Sequence, residues 1–212
     1  KILETVPANF IGSWSVAIRT VIIDDFILET VANGVDTVLN LGAGLDTRPY
    51  RMALPDSLRW IEVDYPHVIA LKDERLTDEK PRCRLERISL DLTDLPARRA
   101  FFKRVGDGSR KVLVLTEGVI PYLSEADVGE LAEDLKATPK VSYWSIDYFS
   151  PEALRFGDKM RARFMRNAPF LFRPKDWFGF FRQRGWRARE IRYIGDEAKR
   201  LGRPIPLPLR AI

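Results

Sequence analysis

Val38-Leu39-Asn40-Leu41-Gly42-Ala43-Gly44-Leu45-Asp46-Thr47-Arg48, followed by Trp60-Ile61-Glu62-Val63-Asp64, is the part of this chain whose reading decides the fold. An apolar strand runs into a Gly-x-Gly turn, and a second strand ends in a carboxylate 22 positions after the first glycine. Glycine opens dihedrals closed to other residues and lets the backbone approach a ligand. Strand, glycine turn, strand and terminal acid, in that order, are how Rossmann-like folds hold a nucleoside. The expected class is therefore α/β, with a mostly parallel central sheet and helices on both faces.

The turn also discriminates between nucleosides. A dinucleotide fold wants a third glycine where Thr47 stands, and it seats a pyrophosphate on the turn and helix N-terminus, where Asp46 sits. A carboxylate there repels a diphosphate. S-adenosylmethionine has no phosphate and carries a positive sulfonium, so the same departures favour a methyl donor over NAD. A glycine turn in a ligand-free α/β domain is the plainer alternative, because the motif is short.

Working outward, residues 13–32 place Val16, Ile18, Val21, Ile22, Phe26, Ile27 and Val31 near helical spacing, with Asn33-Gly34 as the stop. Strands are predicted at 37–41, 60–63, 87–90, 111–116 and 141–149, the fourth holding the continuous apolar run of a buried parallel strand. Residues 124–136 read as a helix, with Ser124 as N-cap and Asp127 completing a weak capping box. Strands one to four end in or near glycine or an acid. Gly42, Gly44, Asp64, Asp91 and Glu117 thus gather at the carboxyl edge, where open parallel sheets bind ligands. After Pro151 the pattern predicts a basic helix at 155–166, an aromatic helix at 176–184 and a sixth strand at 186–194. Residues 207–212, behind Pro204, Pro206 and Pro208, read as an edge strand or a loop.

The 212 residues, 45% of them hydrophobic, suit one domain, with a cofactor-binding core at 1–150 and a basic, aromatic cap at 151–212. No apolar run approaches the ~20 residues of a membrane helix, so a soluble, cytoplasmic protein without membrane partners is expected. The stretch Lys1 to Pro7 lacks a signal-peptide core and an initiator Met, so the chain reads as trimmed or partial. A single cysteine, Cys83, excludes an internal disulfide and fits a reducing compartment. With one Cys and one His, no Cys/His zinc site can form, and no metal is expected. A Ser-His-Asp triad would have to use His67, in what reads as the first turn of a helix, where a cap or surface role is the simpler one. The net charge of +5 is unevenly spread. Residues 151–212 hold 16 Lys/Arg against 6 Asp/Glu, and residues 1–150 hold 19 against 24.

Each candidate residue has a plainer rival. Asp64 can accept hydrogen bonds from both ribose hydroxyls, or cap the helix that follows. Asp91, with the N–H and apolar side chain of Leu92, can hold adenine, or serve as an N-cap in Asp91-Leu92-Thr93-Asp94. Glu117-Gly118 can face the methionine portion or the acceptor, or form a strand-end turn. Arg19, on an otherwise apolar helix, can bind the methionine carboxylate bidentately, or snorkel beside the core.

Arg19-Thr20, Asp24-Asp25, Leu41 to Arg51, Glu62-Val63-Asp64-Tyr65-Pro66, Asp91-Leu92 and Thr116-Glu117-Gly118-Val119-Ile120-Pro121-Tyr122-Leu123 together resemble the leucine carboxyl methyltransferase family, which includes polyketide O-methyltransferase-like bacterial members. The resemblance spans Arg19 to Tyr148 and implies a class I S-adenosylmethionine-dependent methyltransferase. It also implies roles: Arg19 on the methionine carboxylate, Gly42 and Gly44 on the methionine portion, Asp64 on ribose and Asp91-Leu92 on adenine. Glu117 would close the site near the donor, and Tyr122 would stand close to the acceptor. The chain is shorter than family members usually are, which bears on the acceptor lid more than on cofactor binding.

Methyl transfer is an in-line displacement, so positioning supplies much of the rate. A carboxylate acceptor needs no base. A phenol must lose a proton, with Tyr122, Glu117, Asp24 or water to help. The expected activity is O-methylation of a carboxylate or phenolic small molecule, giving S-adenosylhomocysteine. Arg155, Lys159, Arg161, Arg163 and Arg166, followed by Phe170, Phe172, Trp177, Phe178, Phe180, Phe181 and Trp186, suit either the basic rim of an apolar pocket or a nucleic-acid surface. A packed cap with solvent-facing arginines is the third reading. An RNA-directed methyltransferase and a non-catalytic S-adenosylmethionine-binding or partner protein are the alternatives.

Overall fold

The computed structural model describes residues 7–150, 154 and 169–204. The chain divides into two compact units, one made of Lys1–Glu29 with Ala188–Ile212 and the other of Thr30–Arg187.

The larger unit is built on five strands, β1 (Thr37–Leu41), β2 (Arg59–Asp64), β3 (Arg84–Ser89), β4 (Val112–Thr116) and β5 (Val141–Ile146). They form one sheet in the order β3-β2-β1-β4-β5, and every pairing is parallel. β1 and β4 are buried along their whole length, as their unbroken apolar runs dictate. From β1 the chain moves one way to β2 and β3, then returns to β4 and moves the other way to β5. With right-handed crossovers this places helices on both faces, and the strand order reverses beside β1.

Side-chain alternation confirms two buried faces. Leu39, Leu41, Ile61, Val63, Val112 and Val114 pack into one core with helices α4 (Leu95–Asp107), α5 (Glu125–Ala137) and α6 (Trp177–Gln183). Their strand neighbours Val38, Asn40, Trp60, Glu62 and Leu113 are equally buried. There Lys72 of α3 (Pro66–Arg75) donates to Glu62 Oε1 at 2.7 Å, and Arg87 of β3 donates to Oε2 at 3.0 Å. Burial pushes the Glu62 carboxyl up, against the pull of both cations. A single helical turn, α2 (Arg48–Arg51), follows the glycine turn.

The predicted strands and caps largely recur. The α5 capping box is complete, with Ser124 Oγ accepting from the Asp127 N–H at 3.1 Å and the Asp127 carboxylate accepting from the Ser124 N–H. The third strand starts three residues earlier than read, at Arg84. It is an edge strand whose Arg and Glu side chains hide the period, and it is paired along its length with β2. The fifth strand stops at Ile146, three residues short of its predicted end.

The predicted sixth strand at 186–194 is overturned, because no strand forms there among the described residues. Trp186 instead donates its indole N–H to the Ala132 carbonyl at 2.9 Å and packs edge-on to Trp144. Beyond it the alternation is mostly of arginines, and the apolar members Ile191 and Tyr193 stay 43% and 56% exposed. A strand with no apolar face to bury has nothing to hold it in a sheet. The aromatic helix is present as α6, capped by Asp176 through the Gly179 N–H at 2.8 Å. The predicted basic helix at 155–166 and the edge segment at 207–212 lie outside the described residues.

The smaller unit contains most of α1 (Pro7–Ala32) together with α7 (Ile194–Arg200). The helix α1 ends as its sequence predicts. Gly34 takes φ +89°, and the N–H groups of Gly34 and Val35 cap the carbonyls of Val31 and Thr30. On this helix Ile18, Ile23 and Ile27 are buried, whereas Val16 is 49% exposed despite its place in the expected apolar stripe. Arg200 pairs with Asp25 at 3.0 Å, and Arg189 pairs with Glu29 at 2.6 Å. Among the described residues no helix is long and apolar enough to cross a membrane.

Candidate functional site

The carboxyl ends of the five parallel strands share one edge, and the sequence-predicted residues of the larger unit collect there. Gly42 and Gly44 follow β1, Asp64 ends β2, Asp91 and Leu92 lie just past β3, and Glu117 follows β4. Arg19 belongs to the smaller unit, half-buried on α1 beside the buried Ile18.

The glycine turn is tied to the end of β2. The Gly42 and Ala43 N–H groups donate to the Val63 carbonyl at 2.8 and 3.1 Å. The Gly44 N–H donates to Asp64 Oδ2 at 2.7 Å, and the Tyr65 N–H to Oδ1 at 2.8 Å. Asp64 therefore joins the turn to the threshold of α3, and its remaining lone pairs are available to hydroxyl donors. The two glycines differ in what they are for. Both have left-handed φ, +68° at Gly42 and +47° at Gly44. A Cβ on Gly42 would collide with Val119 Cγ2, so that glycine lets the β1 and β4 loops touch. A Cβ on Gly44 would meet nothing within 4 Å, which leaves its backbone open to a ligand.

Asp46 changes the argument about phosphate. It does not stand as a bare charge, because its carboxylate accepts from the Arg48 N–H and Nη1, each at 2.8 Å, and from Asn40 Nδ2 at 2.9 Å. It occupies the first N–H of α2 with an internal anion. That N–H is therefore already taken by a side chain of the protein.

Asp91 is exposed, and its carboxylate accepts from the Thr93 N–H and hydroxyl at 2.9 and 2.8 Å, which holds it below the usual carboxylate range. The N-cap of α4 is Asp94, through the Ala97 N–H at 3.1 Å, so the capping role read for Asp91 belongs to its neighbour. Leu92 packs against the core, and its carbonyl accepts from Arg98 Nη1 at 2.7 Å. Glu117 accepts from Arg48 Nη1 at 2.8 Å. The Gly118 N–H donates to Asp147, just past β5. Tyr122, in a 3₁₀ turn (Ile120–Tyr122), sets its ring edge-on to Phe170 at 5.1 Å. His67, exposed near the start of α3, stacks on Tyr65.

Three residues that shape this edge escaped the sequence reading. Arg48 and Arg98 are buried, at 3% and 2% exposure, and Asp147 anchors the β4 loop. The Asp46-x-Arg48 spacing was a legible hint. The partners Glu117, 69 residues from Arg48, and Asp134, which accepts from Arg98 Nε at 3.0 Å, were not, because chain folding alone brings them near. The tail aromatics Phe172, Phe180 and Phe181 are buried in the core cluster, with Trp177 and Trp186 packed against it.

An open parallel sheet with its glycine turn at the strand-order reversal, and acids on the flanking strand ends, is the nucleoside-binding α/β architecture of class I methyltransferases. The sequence profile described as leucine carboxyl methyltransferase matches residues 9–136, and the chain belongs to that family. A Parafrankia protein provisionally named an S-adenosyl-L-methionine-dependent methyltransferase is 32% identical over 204 residues, covering 90% of this chain and 63% of that protein. A similarly named Streptomyces avermitilis protein is 32% identical over 202 residues, covering 92% and 70%. The chain thus spans about two thirds of these relatives' length. Among solved structures, a Thermobifida fusca protein provisionally described as a methyltransferase superposes with a TM-score of 0.55 at 16% identity, covering 84% of this chain and 69% of that one. A DUF574 family protein from Streptomyces avermitilis gives 0.54 at 20%, covering 81% and 66%. These likenesses show the fold.

S-adenosylmethionine is the cofactor that this family implies, and the residues fit it. β1, which leads into the open Gly44 turn, lies between β2, which ends in hydroxyl-accepting Asp64, and β4, which leads to the acid Glu117, while the first N–H of α2 is already taken by Asp46.

Proposed function

We propose that this chain binds S-adenosylmethionine at the carboxyl edge of its sheet and methylates an oxygen, carboxylate or phenolate, of a small-molecule acceptor. The observation that carries the reading is the Gly44 to Asp64 hydrogen bond. It fixes an acidic acceptor beside an unobstructed backbone at the strand-order reversal. When bound, the cofactor supplies an electrophilic methyl group on a sulfonium. Asp64 holds the ribose hydroxyls, Asp91 and Leu92 hold adenine, and Gly42 and Gly44 admit the methionine portion. Glu117 bounds the site on the β4 side. Its pairing with Arg48 suits it to holding a position more than to taking a proton, so an acceptor already ionised is favoured. Tyr122 faces the acceptor.

A small molecule is favoured over RNA because Phe172, Phe180 and Phe181 are spent on the core and present no faces for bases. The buried free thiol of Cys83 agrees with a cytoplasmic setting. Calorimetric titration with S-adenosylmethionine, S-adenosylhomocysteine and NAD tests the cofactor. Binding of the first two, none of NAD, and a loss of roughly 10–100-fold in Asp64→Ala are expected. Unchanged affinity in the variant refutes the ribose assignment. Methyl transfer to a panel of carboxylates and phenols then separates an enzyme from a binding protein.

A further inference from the structure

Four polar residues form a continuous chain across the two loops that flank the strand-order reversal. Asn40, 3% exposed on β1, donates to Asp46 Oδ2 at 2.9 Å. Arg48, at the start of α2, donates from the same Nη1 to that oxygen and to Glu117 Oε2, both at 2.8 Å. One guanidinium nitrogen carries two hydrogens and can make both bonds at once. Arg48 is buried, at 3% exposure, and its two carboxylate partners are partly buried, at 10% for Asp46 and 19% for Glu117.

Desolvating a guanidinium and two carboxylates largely cancels their attraction, so such a cluster contributes little net stability compared with apolar packing of the same volume. What it supplies is direction. Arg is planar, permanently charged and geometrically demanding, and it fixes its partners at set separations in a way that Lys does not. The elements it joins are the two that would enclose a ligand here, the turn after β1 and the loop after β4. Glu117 sits 69 residues from Arg48 in sequence, so the link belongs to the folded state alone.

We infer that Arg48 is a positioning residue for the cofactor site: it locks Glu117 at the end of β4 to the Gly42–Asp46 turn at the end of β1, and so sets the width of the crevice and the aim of the Glu117 carboxylate. The inference rests on the cofactor reading above for its functional meaning, but the link itself is testable without any ligand. A brace that only stabilised its own loop would not transmit a change from one loop to the other.

The experiment has two parts, both on the full chain. In the ligand-free protein, amide hydrogen exchange is compared between wild type and Glu117→Met, which removes the acceptor yet leaves Arg48 paired with Asp46. Exchange at Gly42 to Gly44 is expected to rise about fivefold or more, across the crevice from the substitution. Unchanged exchange in that turn overturns the inference. In the second part, S-adenosylhomocysteine affinity is measured calorimetrically for wild type, Arg48→Lys, Glu117→Met and the double variant. Arg48→Lys is expected to weaken binding about tenfold alone and less than about threefold in the Glu117→Met background, because the link is already cut. Factors that multiply independently overturn the inference. If Arg48→Lys fails to fold, the exchange comparison in Glu117→Met decides alone. If the wild type binds no S-adenosylhomocysteine, the cofactor reading falls while the exchange result still decides the link.

Discussion

Gly42 and Gly44 stand two residues apart in one turn, yet substituting each by alanine should fail in a different way. Both take left-handed φ, which costs a non-glycine residue about 1–2 kcal/mol. At Gly44 that is the whole steric penalty, since an added Cβ meets nothing within 4 Å. At Gly42 the Cβ also lands on Val119 Cγ2, closer than the 3.0 Å that real Cβ contacts respect. Forcing such an overlap typically adds about 1–3 kcal/mol. Gly42→Ala should therefore destabilise by about 2–5 kcal/mol and Gly44→Ala by about 1–2, read from urea denaturation with the slope held constant. Adding Val119→Ala removes the offending methyl, so the Gly42→Ala/Val119→Ala pair should be more stable than the sum of the single changes by the overlap of about 1–3 kcal/mol. Binding should rank the other way. Gly44→Ala, which puts a methyl on the open face, should lose more S-adenosylhomocysteine affinity relative to its stability loss than Gly42→Ala in the relieved background. Equal destabilisation by the two substitutions, or additivity of Gly42→Ala with Val119→Ala, would refute the reasoning.

Two further outcomes follow from buried charge. Burial and the nearby charge of Glu62 push the Cys83 thiol up to about 11. The native protein should thus resist thiol reagents at pH 8 and react only on unfolding. The neutral thiol is favoured in the fold, so this contribution is fully present below pH 9 and is lost as pH rises towards 11; rapid labelling of native protein at pH 8 would contradict it. Lys72→Met strands the wholly buried Glu62 with Arg87 as its remaining cation partner of that pair. A loss at the lower end of about 3–5 kcal/mol is expected at neutral pH. Because burial raises the Glu62 carboxyl, the folded variant holds its proton to higher pH than the unfolded chain. The deficit relative to wild type should therefore shrink as pH falls through the carboxylate range, and a deficit independent of pH would count against the assignment.

Much of the architecture was legible because it is encoded locally. Thr37–Leu41 was read at its true bounds, and the Ser124 capping box and the Gly34 helix stop were read from the residues that form them. Each depends on neighbours within about one turn of chain, through dihedral preference, capping or an unbroken apolar run. The readings that failed concern segments whose state depends on what lies beside them. Residues 186–194 have strand-like alternation, but Trp186 is drawn to Ala132 and Trp144, and the rest has no apolar face to bury. The amphipathic helix α4 received no assignment, because its arginines, including the buried Arg98, mask its apolar face.

The site divides along the same line. Sequence by itself determined the glycine turn, the acids at the strand ends and the preference for a nucleoside without a diphosphate, since these reside in residue type and short spacing. Only the tertiary structure decided that Gly42 is needed by Val119 while Gly44 faces open space, that Arg48 reaches Glu117, and that Asp147 anchors the loop after β4. Those roles belong to contacts between strand ends far apart in the chain. Sheet order and burial create them, and no local pattern of residues records them.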